Sequence, residues 1–447
     1  TTVVRGGYGI SYAYLFRFGG EGLLAYNGPN NYNATLPSNQ TPSQGLCTSL
    51  TQDPTTCFRR TQDGYQTNFA GPINFSTIKS QTRYTPANFK PAYVQAYHLS
   101  VQQQLMRETT LEISYVGNHT VHIPALDDFN QARPCLASEI PLSAPGQCTT
   151  SLLNRRPIAN FTDILTETNA GSLIYNSLQA KLQRRLSSGI FLINSFTWSR
   201  GIDLNSADLE TQNGDSAVVN KYNPAGDRGP SGYNQPLNNT TSFIVGLPFG
   251  HGHRFGANAP GWQQQMLGGW QLTGINVVTS GVPINITYSP SSNQVVSTTS
   301  ATYAIRPNLT GSTGSVYDHT LVKTASSLNG YFVAGSGSTP PPGISIPAGT
   351  QIFGNLGRNA FHGPAFGQFD LSAHKKFTLP NERYNAEFRI EAFNVFNATN
   401  YISPSSSVAT VNATNGTPSY TSSFGSFTGS SSVYPSRQVQ LALRLNF

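Results

Sequence analysis

The stretch "RQVQLALRLNF", Arg437–Phe447, decides the fold. Val439, Leu441, Leu443, Leu445 and Phe447 are apolar, while Gln438, Gln440, Arg444 and Asn446 alternate with them and Ala442 is the small exception. Strict alternation is the signature of a strand whose two faces meet different surroundings. The pattern runs to the final residue, an aromatic one, with no polar tail after it. An amphipathic strand that ends this way fits a place where an aromatic ring can rest at the boundary between an apolar layer and water.

The same period recurs nine times upstream. "TTVVRGGYGISY" sets Val4, Tyr8, Ile10 and Tyr12 on one parity. "YHLSVQQQL" places Tyr97, Leu99, Val101 and Leu105 against His98, Ser100, Gln102 and Gln104. "LEISYVG", "SLQAKLQRR", "IFLINSFTWS", "TSFIVGLPFG", "GGWQLTGINVVTSG", "FDLSAHKKF" and "NAEFRIEAFNVFN" follow. Apolar residues do not recur at three and four, and Gly and β-branched residues punctuate the segments, so helices are excluded. With the closing segment the expectation is ten strands.

The connections fall into two classes. Those around Arg107, around Ser187 and at Pro380 to Tyr384 are short, and Phe249 to Leu267 belongs to the same side. Residues 13 to 92, 119 to 172, 201 to 236, 281 to 365 and 398 to 434 form long loops, which are uncommon inside a compact soluble domain. Short turns on one rim and long loops on the other predict an all-β, antiparallel up-and-down transmembrane β-barrel with periplasmic turns and extracellular loops. Cys47 with Cys57, and Cys135 with Cys148, are close pairs inside the long loops. They read as two loop-closing disulfides in an oxidising exterior.

Composition agrees. Charged residues are 11% of 447, far below roughly a quarter in ordinary soluble domains. The alternative is a soluble secreted β-sandwich, such as a carbohydrate-binding or adhesive module, which would also alternate. Its polar face would carry many Lys and Glu; here that face is rich in Gln, Asn, Ser and Thr. Trp198, Tyr12, Tyr97 and Trp270 stand near strand ends, as in the two aromatic girdles of a lipid-facing band. The net charge of +7 is spread along the chain with no basic face, so no nucleic-acid partner is expected. No run of 18 apolar residues offers a membrane helix.

Longer stretches carry a family resemblance. "NSLQAKLQRRLSSGIFLINSFTWSRGID" (Asn176–Asp203), "LGGWQLTGINVVTSGVPINIT" (Leu267–Thr287), "RPNLTG" (Arg306–Gly311), "FGNLGRNAFHGPAFGQFDLSAHKKF" (Phe353–Phe377) and "FRIEAFNVFNATNY" (Phe388–Tyr401) resemble the C-terminal barrel half of TonB-dependent outer-membrane receptors, most closely the Oar-like subgroup. The terminal Phe447, with Leu445 and Leu443, resembles the C-terminal signal read by the barrel-assembly machinery. The resemblance implies a barrel of about 22 strands around a plug. It implies energised uptake of a scarce ligand (iron chelate, cobalamin, saccharide or peptide-like compound) across the bacterial outer membrane, through lipid and lipopolysaccharide. Residues 1–447 are then the C-terminal part of the barrel. Nothing in them resembles the plug, the TonB-contacting box or the N-terminal module, so plug and TonB would be met through a missing N-terminal portion.

Residues that could do chemistry are few. Glu387, Arg389 and Glu391 share the inward parity of their strand, and the resemblance has them facing the lumen and the plug. His251 and His253 lack a third metal ligand nearby, and Asp203, Asp208, Glu210 and Asp215 lack the order of a calcium loop. The resemblance marks Arg358 and Asn359 as structural, at the outer end of a strand. "GPSGY" lacks a nucleophile-elbow pattern. The expectation is no enzyme, no catalytic residue, no metal and no cofactor.

Overall fold

The computed structural model describes residues 1–13, 27, 81–84, 86–159, 161–187, 189–206, 218–250, 252–297, 304–318, 330–378, 385–427 and 436–446. All ten anticipated strands form: β1 Thr2–Tyr12, β2 Tyr93–Met106, β3 Thr109–Asp128, β4 Ile164–Ser187, β5 Ile190–Asp203, β6 Leu237–Gly246, β7 Trp270–Thr279, β8 Phe366–Thr378, β9 Asn385–Phe393 and β10 Gln438–Asn446. They pair in chain order, each antiparallel to the next, as an up-and-down sheet. Among the described residues the sheet is not closed: β1 bonds only to β2, and β10 only to β9.

The parity expected of the closing strand is carried across the sheet by register. Leu443 lies opposite Phe388, Leu441 opposite Ile390, and Gln440 opposite Glu391. On the apolar side Val4 is 64% exposed, Trp198 59% and Leu441 66%. No second sheet covers these side chains among the described residues, which answers the sandwich alternative. Glycines inside the strands are explained on the same face. The Tyr97 ring lies over Gly117 and the Phe243 ring over Gly274, where a Cβ would stand within 2.5 Å of a ring atom. An aromatic thus fills the space that its cross-strand neighbour leaves.

At the long-loop end the girdle is built from tyrosines. Tyr8 pairs with Tyr97 and Tyr12 with Tyr93 across β1 and β2. The hydroxyls of Tyr97 and Tyr115 both donate to Asn176 Oδ1, at 3.2 and 2.6 Å. At the other end the turns are tight, with Glu108 and Gly189 in the left-handed conformation. The longest connection on that side, between β6 and β7, contains the short helix Gly261–Leu267, which sequence reading did not anticipate.

Between β5 and β8 the alternation weakens. Asn194 shares the outward parity of Phe196 and Trp198, and its amide donates to Asn239 Oδ1 and Thr241 Oγ1, at 2.8 and 2.7 Å. Ile275 shares the inward parity, yet is apolar and 47% exposed.

β3 has 20 residues and β4 has 24, against the roughly 10 that a tilted strand needs to cross a bilayer. Their upper halves therefore stand above the membrane, and the long loops pack around them into a cap with its own dry core. Phe332, Phe361, Phe424, Val316 and Val408 are fully buried there. Rings pack edge-on or stacked, with Phe332 5.2 Å from Phe424 and 5.4 Å from Phe361.

Candidate functional site

Three groupings of polar side chains lie on the inner side of the sheet or in the cap. The first is a luminal ladder near the short-turn rim. Arg389 Nε donates to Glu387 Oε1 at 2.9 Å, and His374 Nδ1 lies 3.0 Å from the same oxygen. The register places His374 opposite Arg389, and Glu387 opposite Arg444 and Lys376. Glu391 stands one inward position further up, between Ser372 and Gln440. The structure thus brings Glu387 and Arg389 into contact, and adds His374. Sequence reading missed that histidine, although its parity in "FDLSAHKKF", opposite to Phe369 and Leu371, was a readable signal.

The second grouping lines a cavity of about 580 Å³ at the long-loop end. Asn118, Tyr175, Thr197, Ser199, Gly201 and Asn238 reach it from the inward parity of β3 to β6, and residues 231–235 close it from above. That turn is tied down: Gly201 N donates to Asn234 Oδ1 at 2.8 Å, and Ser231 N to the Gly201 carbonyl at 3.0 Å. Sequence reading met Ser231 and Tyr233 only in "GPSGY", weighed as a nucleophile turn, and did not see that they share a cavity with the rest, because β4, β5 and the 231–235 turn converge only through long-range pairing.

The third grouping is a set of buried ion pairs that lock the cap. Arg358 pairs with Asp203 and donates to the Asp227 carbonyl at 2.8 Å. Asn359, at φ 54°, donates to the Pro230 carbonyl at 2.9 Å. Arg306 pairs with Asp227 at 2.6 Å. Arg156 pairs with Asp163, approaches Asp128 at 3.5 Å, and donates to the carbonyls of Asn130 and Thr162, both at 2.8 Å. With its low accessibility and Asp163 beside it, Asp128 has its carboxyl pushed up to about 7, desolvation being the larger cause.

Asp203, one of the four acids weighed for calcium, is spent on Arg358; Asp208, Glu210, Asp215 and His251 lie outside the described residues. Among the described residues no group of three or more His, Cys, Asp or Glu is placed to hold a metal ion. Cys135 and Cys148 stand sulfur to sulfur with Cα atoms 6.1 Å apart, within the span of a disulfide. Cys47, Cys57 and Phe447 lie outside the described residues. Leu443 and Leu445 are 67% and 61% exposed on the apolar face.

An up-and-down antiparallel sheet with an exposed apolar face, a polar inner face and long loops gathered on one rim defines a membrane barrel protein. The chain belongs to the outer membrane beta barrel domain family, whose sequence profile matches residues 1–440. This places it in the bacterial outer membrane. Solved structures similar to it include the outer membrane transporter YddB from Escherichia coli, at 10% identity and a TM-score of 0.38, covering 83% of this chain and 34% of that one. The pyoverdine outer membrane receptor FpvA from Pseudomonas aeruginosa PAO1 is similar at 10% identity and a TM-score of 0.32, with coverages of 80% and 30%. The FrpB iron transporter from Neisseria meningitidis is similar at 10% and 0.32, with coverages of 81% and 32%. The chain spans about a third of the length of these structures. No curated protein sequence matches it.

Proposed function

We propose that this chain is the C-terminal barrel portion of a TonB-dependent receptor of the Oar-like subgroup, serving energised uptake of a scarce ligand. The observation that carries the reading is the division of the sheet into an apolar face open to lipid and an inner face bearing the Glu387, Arg389 and His374 ladder. In this reading Glu387, Arg389 and Glu391 meet a plug supplied by the N-terminal portion of a longer product. That portion also reaches TonB, and further strands pair with the free edges of β1 and β10. Strand edges left bare in hydrocarbon are costly, so closure is required in the membrane. Leu443, Leu445 and Phe447 form the segment recognised by the assembly machinery. The cysteine pairs are disulfides of the oxidising exterior. The role is transport, with no covalent chemistry.

The test has two arms. Outer-membrane fractions should hold the protein in a form extracted only by detergent, which migrates faster on gels before heating than after. In the full-length receptor, Glu391→Leu should loosen the plug, read by protease release, while membrane insertion is unchanged. Full solubility without detergent would end the barrel reading, and unchanged plug retention would end the assignment of the ladder.

A further inference from the structure

The cavity beneath the 231–235 turn has a chemistry that narrows the ligand. Its lining is neutral: among the described residues no Asp, Glu, Lys, Arg or His borders it. Amides come from Asn118, Asn234, Gln235 and Asn238, hydroxyls from Thr197 and Ser199, and aromatic rings from Tyr175 and Tyr233. Tyr233 is 60% exposed although its neighbours in the turn are tied down. Gly201, opposite Tyr175, sits between the turn and that ring: a Cβ there would stand 3.5 Å from Ser231 Cβ and 3.9 Å from the Tyr175 ring. Asn118 Oδ1 is buried at the wall without a hydrogen-bond partner.

Each feature bears on the charge and shape of what binds. An anionic ferric chelate taken out of water needs compensating cations, and recognition of carboxylate or catecholate oxygens favours Arg or Lys forks. Arg358, which packs on Gly229 just before the 231–235 turn, is buried against Asp203. Amides and hydroxyls can both donate and accept, which suits a ligand that presents many hydroxyls. A half-exposed tyrosine ring offers an apolar platform with a polar tip. Gln235 also borders a second cavity, of about 290 Å³, lined by Tyr401, Phe366, Asn400 and Ser280 and again without a charged side chain. Two adjoining neutral cavities suit a chain of several units better than a single compact one.

We propose that this cavity binds an uncharged, polyhydroxylated ligand, an oligosaccharide, with Tyr233 and Tyr175 as its aromatic contacts. The proposal rests on the uptake-receptor reading given above and specifies the ligand class of that barrel. It is tested on the full-length receptor, in which the strands that close the barrel are present, folded in lauryldimethylamine oxide, a detergent with no sugar headgroup to compete. The probes are neutral hexasaccharides (cellohexaose, xylohexaose, mannohexaose, maltohexaose) and, as the opposing class, a ferric tricatecholate and ferric citrate. Binding is read by native mass spectrometry and thermophoresis. At least one neutral hexasaccharide should bind. Tyr233→Ala should weaken it by about tenfold, as loss of an aromatic contact does, and Tyr233→Phe should keep it within about threefold. Gly201→Val, which fills the space between the turn and Tyr175, should weaken it as well. Every variant is accepted only if its faster unheated gel migration is intact. The proposal is overturned if no hexasaccharide binds the folded receptor, if Tyr233→Ala binds the sugar as well as the parent, or if an anionic chelate binds in a way that Tyr233→Ala abolishes. In the last case the receptor reading survives while the ligand class does not. Absence of heat-modifiable migration in the unmutated full-length receptor would instead strike the receptor reading itself.

Discussion

The sheet and the cap solve opposite solvent problems with one chain. In the sheet the apolar side chains are on the outside: Tyr12 is 71% exposed, Leu443 67% and Val439 63%. In the cap they are inside: Phe332, Phe361 and Val408 are at 0%. Charges follow the same inversion. Arg389 meets Glu387 on the inner wall of the sheet with 32% of its side chain still exposed, whereas the side chains of Arg156, Asp128 and Asp163 are sealed at 0% in the cap. The sheet is held chiefly by its backbone ladder, since lipid leaves no other way to satisfy N–H and C=O groups. The cap depends on burying rings and on giving the buried arginines partners, carboxylates for Arg156, Arg306 and Arg358 and carbonyls for Arg155.

The difference should be separable by mutation, and the largest effect is expected in the cap. Phe332→Ala removes a ring that touches Tyr317, Tyr331, Phe361 and Phe424, and should cost the cap about 3–5 kcal/mol. Proteolysis and hydrogen exchange of residues 330–361 and 404–427 should rise sharply. The folded barrel should still migrate faster unheated than heated. If both signals are lost together, cap and sheet are one cooperative unit and the contrast fails.

How much of this was legible in the sequence follows from the same contrast. Each strand meets the same two solvents along its length, so a local alternation suffices; ten segments could be read from parity alone. The cap core has no period. Phe332 and Phe361 stand 29 residues apart in one long loop, Phe424 comes from the next, and Arg358 finds Asp203 across 155 residues. The family resemblance marked Arg358 and Asn359 as structural, but not which loop they hold. The cavity was hidden for the same reason. The ladder was half legible: Glu387, Arg389 and Glu391 stood on one parity, while His374 entered only through the register of β8 with β9. Between β5 and β8, where Asn194 faces outward and Ile275 inward, parity itself is a poorer guide.

A smaller effect is expected on the lipid face. Leu443→Arg should destabilise insertion by up to about 2–4 kcal/mol, depending on its depth in the bilayer. Gln440→Arg, on the opposite parity beside Glu391, should be near neutral. Denaturant titration of vesicle-inserted protein compares the two. Equal costs would mean that the parities do not meet different solvents.

The smallest effect is a pH dependence confined to the cap. Asp128 has its carboxyl raised from 3.8 to about 7, so the folded cap holds a proton that the unfolded chain releases. Between those two values the native state binds more protons, and stability must fall as pH rises from about 4 to about 7. Glu139 works in the other direction. Hydrogen bonds from Arg133 hold its carboxyl well below the usual range, so its contribution is present above 4.5 and is lost as pH falls below that. The two slopes together place the most stable cap near pH 4 to 5, with a decline on both sides. Asp128 Oδ1 also accepts the amides of Asn130 and Ile164, at 2.9 Å each, which an asparagine oxygen can replace. Asp128→Asn should therefore flatten the upper slope and leave the lower one intact. Hydrogen exchange of the cap across pH 2 to 8, corrected for the intrinsic rate, measures both. The heat-modifiable sheet should show no matching decline between pH 4 and 7, because Glu387 of its ladder is bonded by Arg389 and His374 instead of facing a second carboxylate as Asp128 does; a parallel decline there would erase the distinction between the two regions.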